Sequence, residues 1–120
     1  MKAFTSLEQS RKLADILSPE SADMRYAPFG DTHPWFWDDN LLEKGAIPCW
    51  SLAALLNYFR EIDFFPEIDA DECSVTMNIN YYNEEEASLL APIHNIKVKA
   101  ESFIDACYEM IIKLHEQKLF

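Results

Sequence analysis

Glycine is almost missing from this chain, with two residues in 120. That scarcity excludes a group of chemistries at once. A loop that cradles phosphate needs glycines so that backbone N–H groups can approach the anion, and neither GxGxxG nor GxxxxGK[ST] occurs. HExxH and GxSxG are absent as well. Cysteine is also sparse: Cys49, Cys73 and Cys107 are odd in number and widely spaced. No CxxC pair exists to hold zinc, and a secreted disulfide framework is usually denser and even in count. Buried thiols in a reducing cytosol are the expected state. No run approaches the roughly 18 apolar residues of a membrane span. The opening MKAFTSLEQSRK turns polar after four residues, without the apolar core of a signal peptide. A cytoplasmic protein that does not touch the membrane is expected.

Positive charge is missing from one long stretch. Between Glu61 and Ile96 there is no Lys or Arg, while nine acids occur: Glu61, Asp63, Glu67, Asp69, Asp71, Glu72, Glu84, Glu85 and Glu86. The net charge is -11, and outside this stretch the remaining twelve of 21 acids nearly balance ten bases. Charge of one sign repels nucleic acid and anionic headgroups and attracts basic partners or cations. No other feature of the chain points outward to a partner, and no motif reveals a specific activity.

What is present describes a fold. Hydrophobic residues make up 49% and aromatics 13%, enough to place the chain among globular rather than disordered sequences. Its length suits one domain, residues 1–120, which buries about two-thirds of its unfolded surface without needing a staple.

Thr5-Ser6-Leu7-Glu8 reads as a capping box with Thr5 as the cap, opening a helix over 6–17 on Leu7, Leu13, Ala14 and Leu17. Ser18-Pro19 stops it and starts a short turn. From Tyr26 to Gly45 turn residues dominate, and Trp35-Phe36-Trp37 within them is a brief strand or an ordered loop. Ser51 caps a shorter helix over 52–60 carrying Leu52, Leu55, Leu56 and Phe59. Ile62 to Glu72 reads as an irregular connection.

Val75, Met77, Ile79 and Tyr81 alternate with Thr76, Asn78, Asn80 and Tyr82. That period of two predicts a half-buried antiparallel strand over 74–82, with return strands over 87–91 and 95–100. Ser102 and Asp105 cap a last helix over 102–117 whose face is Phe103, Cys107, Met110, Ile111 and Leu114. Segregated helices and strands indicate α+β, with the two longer helices and the shorter one on one face of a small antiparallel sheet.

Candidate chemistry is thin. His33, His94 and His115 share no metal-ligand spacing. A Cys–His nucleophile built from Cys49 or Cys73 with His33 or His94 is demanded by nothing in the sequence. Asp69-Ala70-Asp71-Glu72 aligns carboxylates, yet it lacks the glycine and spacing of an EF-hand loop. No metal and no cofactor is therefore expected. Trp35, Phe36, Trp37 and Trp50 have Asp31, Asp38, Asp39 and Glu43 for neighbours, whereas aromatic platforms for nucleic acid come with a basic groove. These rings close a small core or contact another protein.

Three blocks recur in an order that marks a resemblance. They are Ser18-Pro19-Glu20-Ser21-Ala22-Asp23-Met24, Ile47-Pro48-Cys49-Trp50-Ser51-Leu52-Ala53-Ala54-Leu55-Leu56, and Asp105-Ala106-Cys107-Tyr108-Glu109-Met110 ending in Leu114-His115-Glu116. With them the chain resembles a family of small single-domain proteins from anaerobic gut bacteria and their phages or mobile elements. That family has no assigned activity or catalytic residues, so the resemblance implies a single domain and a mobile-element setting, and no site carries over.

The expected function is a non-enzymatic protein-interaction module. Its partner-binding residues would be Glu67, Asp69, Asp71, Glu72, Glu84, Glu85 and Glu86, with Trp35 and Trp37. A sharper version is a decoy that imitates the phosphate charge of DNA toward a basic protein. The rival is a small enzyme or ligand-binding domain with a pocket near Trp35, Trp50, His33 and Cys49. Self-association into a homo-oligomer through an exposed edge strand is a third reading.

Overall fold

The computed structural model describes residues 2–27, 33–36, 46–62, 64–69, 71–79 and 94–118. The last helix organises them. In α3 (Phe103–Glu116) the side chains of Ile104, Ala106, Cys107, Met110, Ile111 and Leu114 have no solvent exposure. A stripe that wide buries two sides of a helix. On one side α3 packs against β5 (Ser74–Ile79) and β6 (His94–Lys99), and on the other against α2 (Leu52–Glu61). Leu55 and Phe59 of α2, Val75 and Met77 of β5 and Val98 of β6 complete this core together with Trp50. Each such side chain contributes about 1.5–3 kcal/mol by leaving water.

β5 is the central strand of an antiparallel sheet ordered β4-β5-β6, where β4 is Glu67–Asp69. The rows across it follow from the register: Ile68, Val75 and Val98 share one face, and Glu67, Thr76 and Lys97 the other. The α+β class thus follows from helices packed on an antiparallel sheet. β4 falls where an irregular connection was expected. The expected strand over 87–91, the end of the one over 74–82, and Glu84, Glu85, Glu86 and Trp37 lie outside the described residues.

A second sheet adds to the expected architecture. Strands β1 (Met24–Tyr26), β2 (Trp35–Phe36) and β3 (Ile47–Cys49) pair antiparallel in the order β2-β1-β3. Met24, Tyr26 and Cys49 turn toward α1 (Leu7–Ala14) and form a smaller apolar cluster with Phe4, Leu7 and Ile47. Of the two readings of Trp35-Phe36, the brief strand is the one the fold adopts. The first helix therefore packs on this second sheet, while Leu13 and Leu17 reach the main core.

Ser6, not Thr5, caps α1. Its Oγ accepts from the Gln9 N–H at 3.2 Å, and the Gln9 Oε1 accepts from the Ser6 N–H at 2.9 Å. The box is shifted by one residue because Thr5 is drawn inward and fully buried. The Thr5 N–H donates to the Trp50 carbonyl at 2.9 Å, and the Trp50 N–H donates to Thr5 Oγ1 at 3.1 Å. Tyr26 donates its hydroxyl to the Thr5 carbonyl at 2.7 Å. Helix α1 ends at Ala14, three residues early, and the Leu17 N–H still reaches the Leu13 carbonyl at 2.7 Å. At α2 the Ser51 cap is as expected, with Ser51 Oγ accepting from Ala54 N–H at 3.2 Å. Asp23 steadies that cap, accepting from Ser51 N–H at 2.9 Å and from the Ser51 hydroxyl.

Asp105 joins the starts of α1 and α3. Its carboxylate accepts from Lys2 Nζ at 2.5 Å, Gln9 Nε2 at 2.8 Å and Ser102 Oγ at 2.7 Å. Burial alone would raise its pKa, but these hydrogen bonds and the Lys2 charge outweigh burial and hold the carboxyl below its ordinary range. A depressed carboxyl stabilises the fold above the unfolded-state pKa of about 3.9, and the contribution is lost as pH falls through the lower folded value. Asp105→Asn should cost about 1–2 kcal/mol at neutral pH and flatten the loss of stability below about pH 4, read by urea titration along a pH series. Thr5→Val keeps the shape but removes the acceptor for Trp50 N–H. It should cost about 1–3 kcal/mol, whereas Ser6→Ala costs about 1 kcal/mol, both measured by urea unfolding.

Candidate functional site

Exposed acids and two exposed apolar groups, Phe65 and Ile68, meet at β4. All three of its residues are exposed, and Ile68 retains 45% of its accessible surface. Just before it Phe65 retains 73%. The reason lies in the register. Ile68 continues the Val75 and Val98 row outward past the point where helices cover the sheet. Val75 and Val98 are buried under α3, but between Ile68 and α2 the structure leaves two concavities. One, of about 480 Å³, is lined by Leu52, Ile68, Cys73 and Phe103 with Lys2 and Glu101 at its rim. The other, of about 470 Å³, is lined by Leu56, Phe64, Phe65, Pro66 and Ile68 beside Arg60. Ile68 is common to both, and Leu52 and Leu56 stand one turn apart on α2. The pair reads as a continuous apolar strip beneath an acidic strand.

On the opposite face of β4, Glu67 and Asp69 border a shallow depression of about 280 Å³ with Glu72, Ser74, Thr76 and Lys97. Asp69 organises the turn into β5, because its Oδ1 accepts from the N–H groups of Asp71 at 3.0 Å and Glu72 at 3.2 Å. Cys73 closes that turn at φ 52, in the left-handed region. Glu72 pairs with Lys97 at 3.3 Å, but both side chains are about half exposed, 48% and 56%. Such a pair contributes little to stability and can exchange partners. The structure therefore gathers Glu67, Asp69, Asp71 and Glu72 on one hairpin, and Lys97 and Lys99, in the rows of Glu67 and Asp69, offset only part of their charge.

Trp35 lies elsewhere, on β2 in the second sheet, 62% exposed and opposite Arg25. Arg25 itself is buried, and its Nε has no hydrogen-bond partner among the described residues. Among the described residues, Trp50 and Cys49 of the alternative pocket have zero exposure and so line no solvent-open surface. Trp50 sits in the main core with its Nε1–H donating to Ser21 Oγ at 2.9 Å, and Cys49 in the smaller cluster. His33 is exposed, and His115 is exposed in the last turn of α3. Among the described residues no group of three His, Cys, Asp or Glu is placed to hold a metal ion. No helix among them is long and apolar enough to cross a membrane. No family model, no curated protein and no solved structure matches this chain.

The sequence does not show that Phe65 and Ile68 stay exposed beside a strand. Leu52, Leu56 and Phe103 pack on the core as their helical spacing predicts, and also line the concavities. A signal existed in Glu67-Ile68-Asp69, a short alternation of the kind that marks a strand, but three residues are too few to separate from a turn.

The thiols differ sharply in environment. Burial pushes the Cys107 thiol up to about 12, and burial raises Cys49 against hydrogen bonds from Thr5, Ser10 and Tyr26 that act the other way. A thiol held protonated is a poor nucleophile. Cys73 is partly exposed at the groove. A water-soluble disulfide reagent should modify Cys73 in the native protein and reach Cys49 and Cys107 only on unfolding, as peptide mass mapping will record. Native labelling of Cys49 or Cys107 ahead of Cys73 would contradict this.

Proposed function

We propose that this chain is a non-enzymatic protein-interaction module that engages a basic partner at the β4 edge. The observation that supports it most directly is the position of Phe65 and Ile68. Two large apolar side chains stay exposed above a strip of further apolar groups, with Lys2, Glu101 and Arg60 lining it and Glu67 and Asp69 on the other face of the same strand. Apolar surface gathered into a patch with a polar rim is characteristic of a contact surface, whereas scattered exposed leucines are not. The aromatic and aliphatic groups would supply the binding energy, and Glu67, Asp69, Asp71 and Glu72 the charge that selects and steers the partner.

A decoy for a DNA-binding protein would use the same carboxylates but leave the exposed Phe65 and Ile68 without a role. The proposed setting is the cytoplasm, where Cys49 and Cys107 persist as free thiols. The resemblance to proteins of mobile elements would place that partner in a bacterial host.

The test uses the chain as bait in a lysate of its source cells, beside a Phe65→Ser/Ile68→Ser variant whose circular dichroism is checked first. Wild type should retain a basic protein at low salt, release most of it at high salt, and lose it in the variant. Capture that is the same for both baits and indifferent to salt would remove the proposal.

A further inference from the structure

Resting on the interaction surface proposed above, we infer that the partner binds as an added β-strand. It is an extended segment of another protein that pairs with β4, apolar at alternate positions and carrying Lys or Arg between them.

Among the described residues the sheet order places β4 at an edge, paired with β5 alone. The core face of the sheet is unfinished there. The row Val98, Val75, Ile68 runs from 3% and 0% exposure to 45%. The next position along that row, one strand spacing beyond Ile68, opens over the concavities lined by Leu52, Leu56 and Phe103. A strand laid beside β4 would drop its apolar side chain into that space. Its neighbouring residues point to the opposite face, because side chains alternate along a strand. There they stand beside Glu67 and Asp69, while Lys97 and Lys99 of the same face lie two strands away, beyond Thr76 and Ser74. Basic residues at those two positions match the charge, and main-chain hydrogen bonds hold the register.

The same charges argue against a second copy of this chain. Two β4 strands paired antiparallel about Ile68 would set Glu67 of each opposite Asp69 of the other, and like charges directly opposed destabilise a sheet pair. Acids on an edge that block self-pairing leave it open to a basic strand. The strip is 480 and 470 Å³ in its two parts, and an extended segment spanning both needs few residues. Shortness of β4 therefore limits the partner to a short segment and does not exclude it.

The probe is a blocked peptide of about eight residues that alternates Lys and Val, a common strand length. One comparator has the same composition with Lys and Val in separate blocks. Another keeps the order but carries N-methyl groups on alternate backbone nitrogens, which prevents pairing along one edge. Fluorescence anisotropy should show binding of the alternating peptide and about tenfold or weaker binding of both comparators. Ile68→Ser and Glu67→Lys/Asp69→Lys should each weaken the alternating peptide about tenfold. All substituted side chains are exposed, and chemical-shift mapping of wild type should place the perturbed amides on β4. Equal affinity for the block peptide or the N-methylated peptide would overturn strand addition, leaving only charge attraction. So would failure to bind any of them. An Ile68-dependent dimer in light scattering would overturn it too, because a second copy would then occupy the edge. Should the peptides fail while the bait still retains a partner through Phe65 and Ile68, strand addition falls and the interaction module stands.

Discussion

Thr5 and Trp50 form the junction that the rest of the molecule depends on. Each donates its backbone N–H to the other residue, Thr5 to the Trp50 carbonyl and Trp50 to the Thr5 hydroxyl. One residue away from each, Phe4 bridges Ser51, and two residues away the Leu52 N–H reaches the Ala3 carbonyl. The N-terminal segment is thereby laid along the start of α2 like a short strand. The Trp50 ring enters the main core, while Cys49 beside it enters the smaller cluster. Two cores are thus joined across a single peptide bond. Tyr26 closes the junction by donating to the Thr5 carbonyl, and burial, then its neighbour Cys49, pushes that phenol up to about 12. Leaving any of these buried groups without its partner carries the full desolvation penalty, so the network acts as a unit.

A second tie fixes the helices to one another. Asp105 gathers Lys2, Gln9 and Ser102, so the N-termini of α1 and α3 lie side by side around one carboxylate. Negative charge at a helix start is favourable, and a shared carboxylate serves both starts at once. The tie thus anchors the start of α3, the helix that packs on the β5–β6 pair. Among the described residues the β4 side has no such tie. Its turn is held locally by Asp69, and its ion pair is half exposed. Stability therefore concentrates away from the face on which the exposed apolar groups sit, which is the distribution expected of a binding edge.

The parts of the fold legible in the sequence were those with local chemistry. Ser51 and Ser102 cap their helices, Val75 and Met77 alternate inward, and α3 carries an unbroken apolar stripe. The shift from Thr5 to Ser6 was not legible, because the choice between neighbouring hydroxyls is made by Trp50 and Tyr26, far away in the chain. The β1–β3 sheet was hidden for a related reason. Its strands are two or three residues long and separated by long connections, so no period develops. For the site, the acidic hairpin was legible as charge, since a run without Lys or Arg needs no fold to be seen. Its apolar partner was not. Leu52, Leu56, Phe103 and Ile68 come from three separate elements, and their exposure depends on how far α2 stands from β4. Trp50 is core, in line with the reading that these aromatic rings close a core.

Charge and apolar exposure at β4 are not independent facts. A sheet edge with Ile68 bare and neutral flanks would pair with any passing strand, its own copies included, because edge backbone groups and apolar surface both favour it. Glu67 and Asp69 raise the cost of that pairing for every acidic or neutral strand while lowering it for a basic one. The pattern is more specific than solubility requires. Acids placed for solubility alone would do best over Phe65 and Ile68, shortening the bare apolar surface, as Lys and Arg stems do on many edges. Here the acids face away from the strip and leave it uncovered. Selectivity by repulsion, with attraction reserved for the strip, is the arrangement that discriminates between partners.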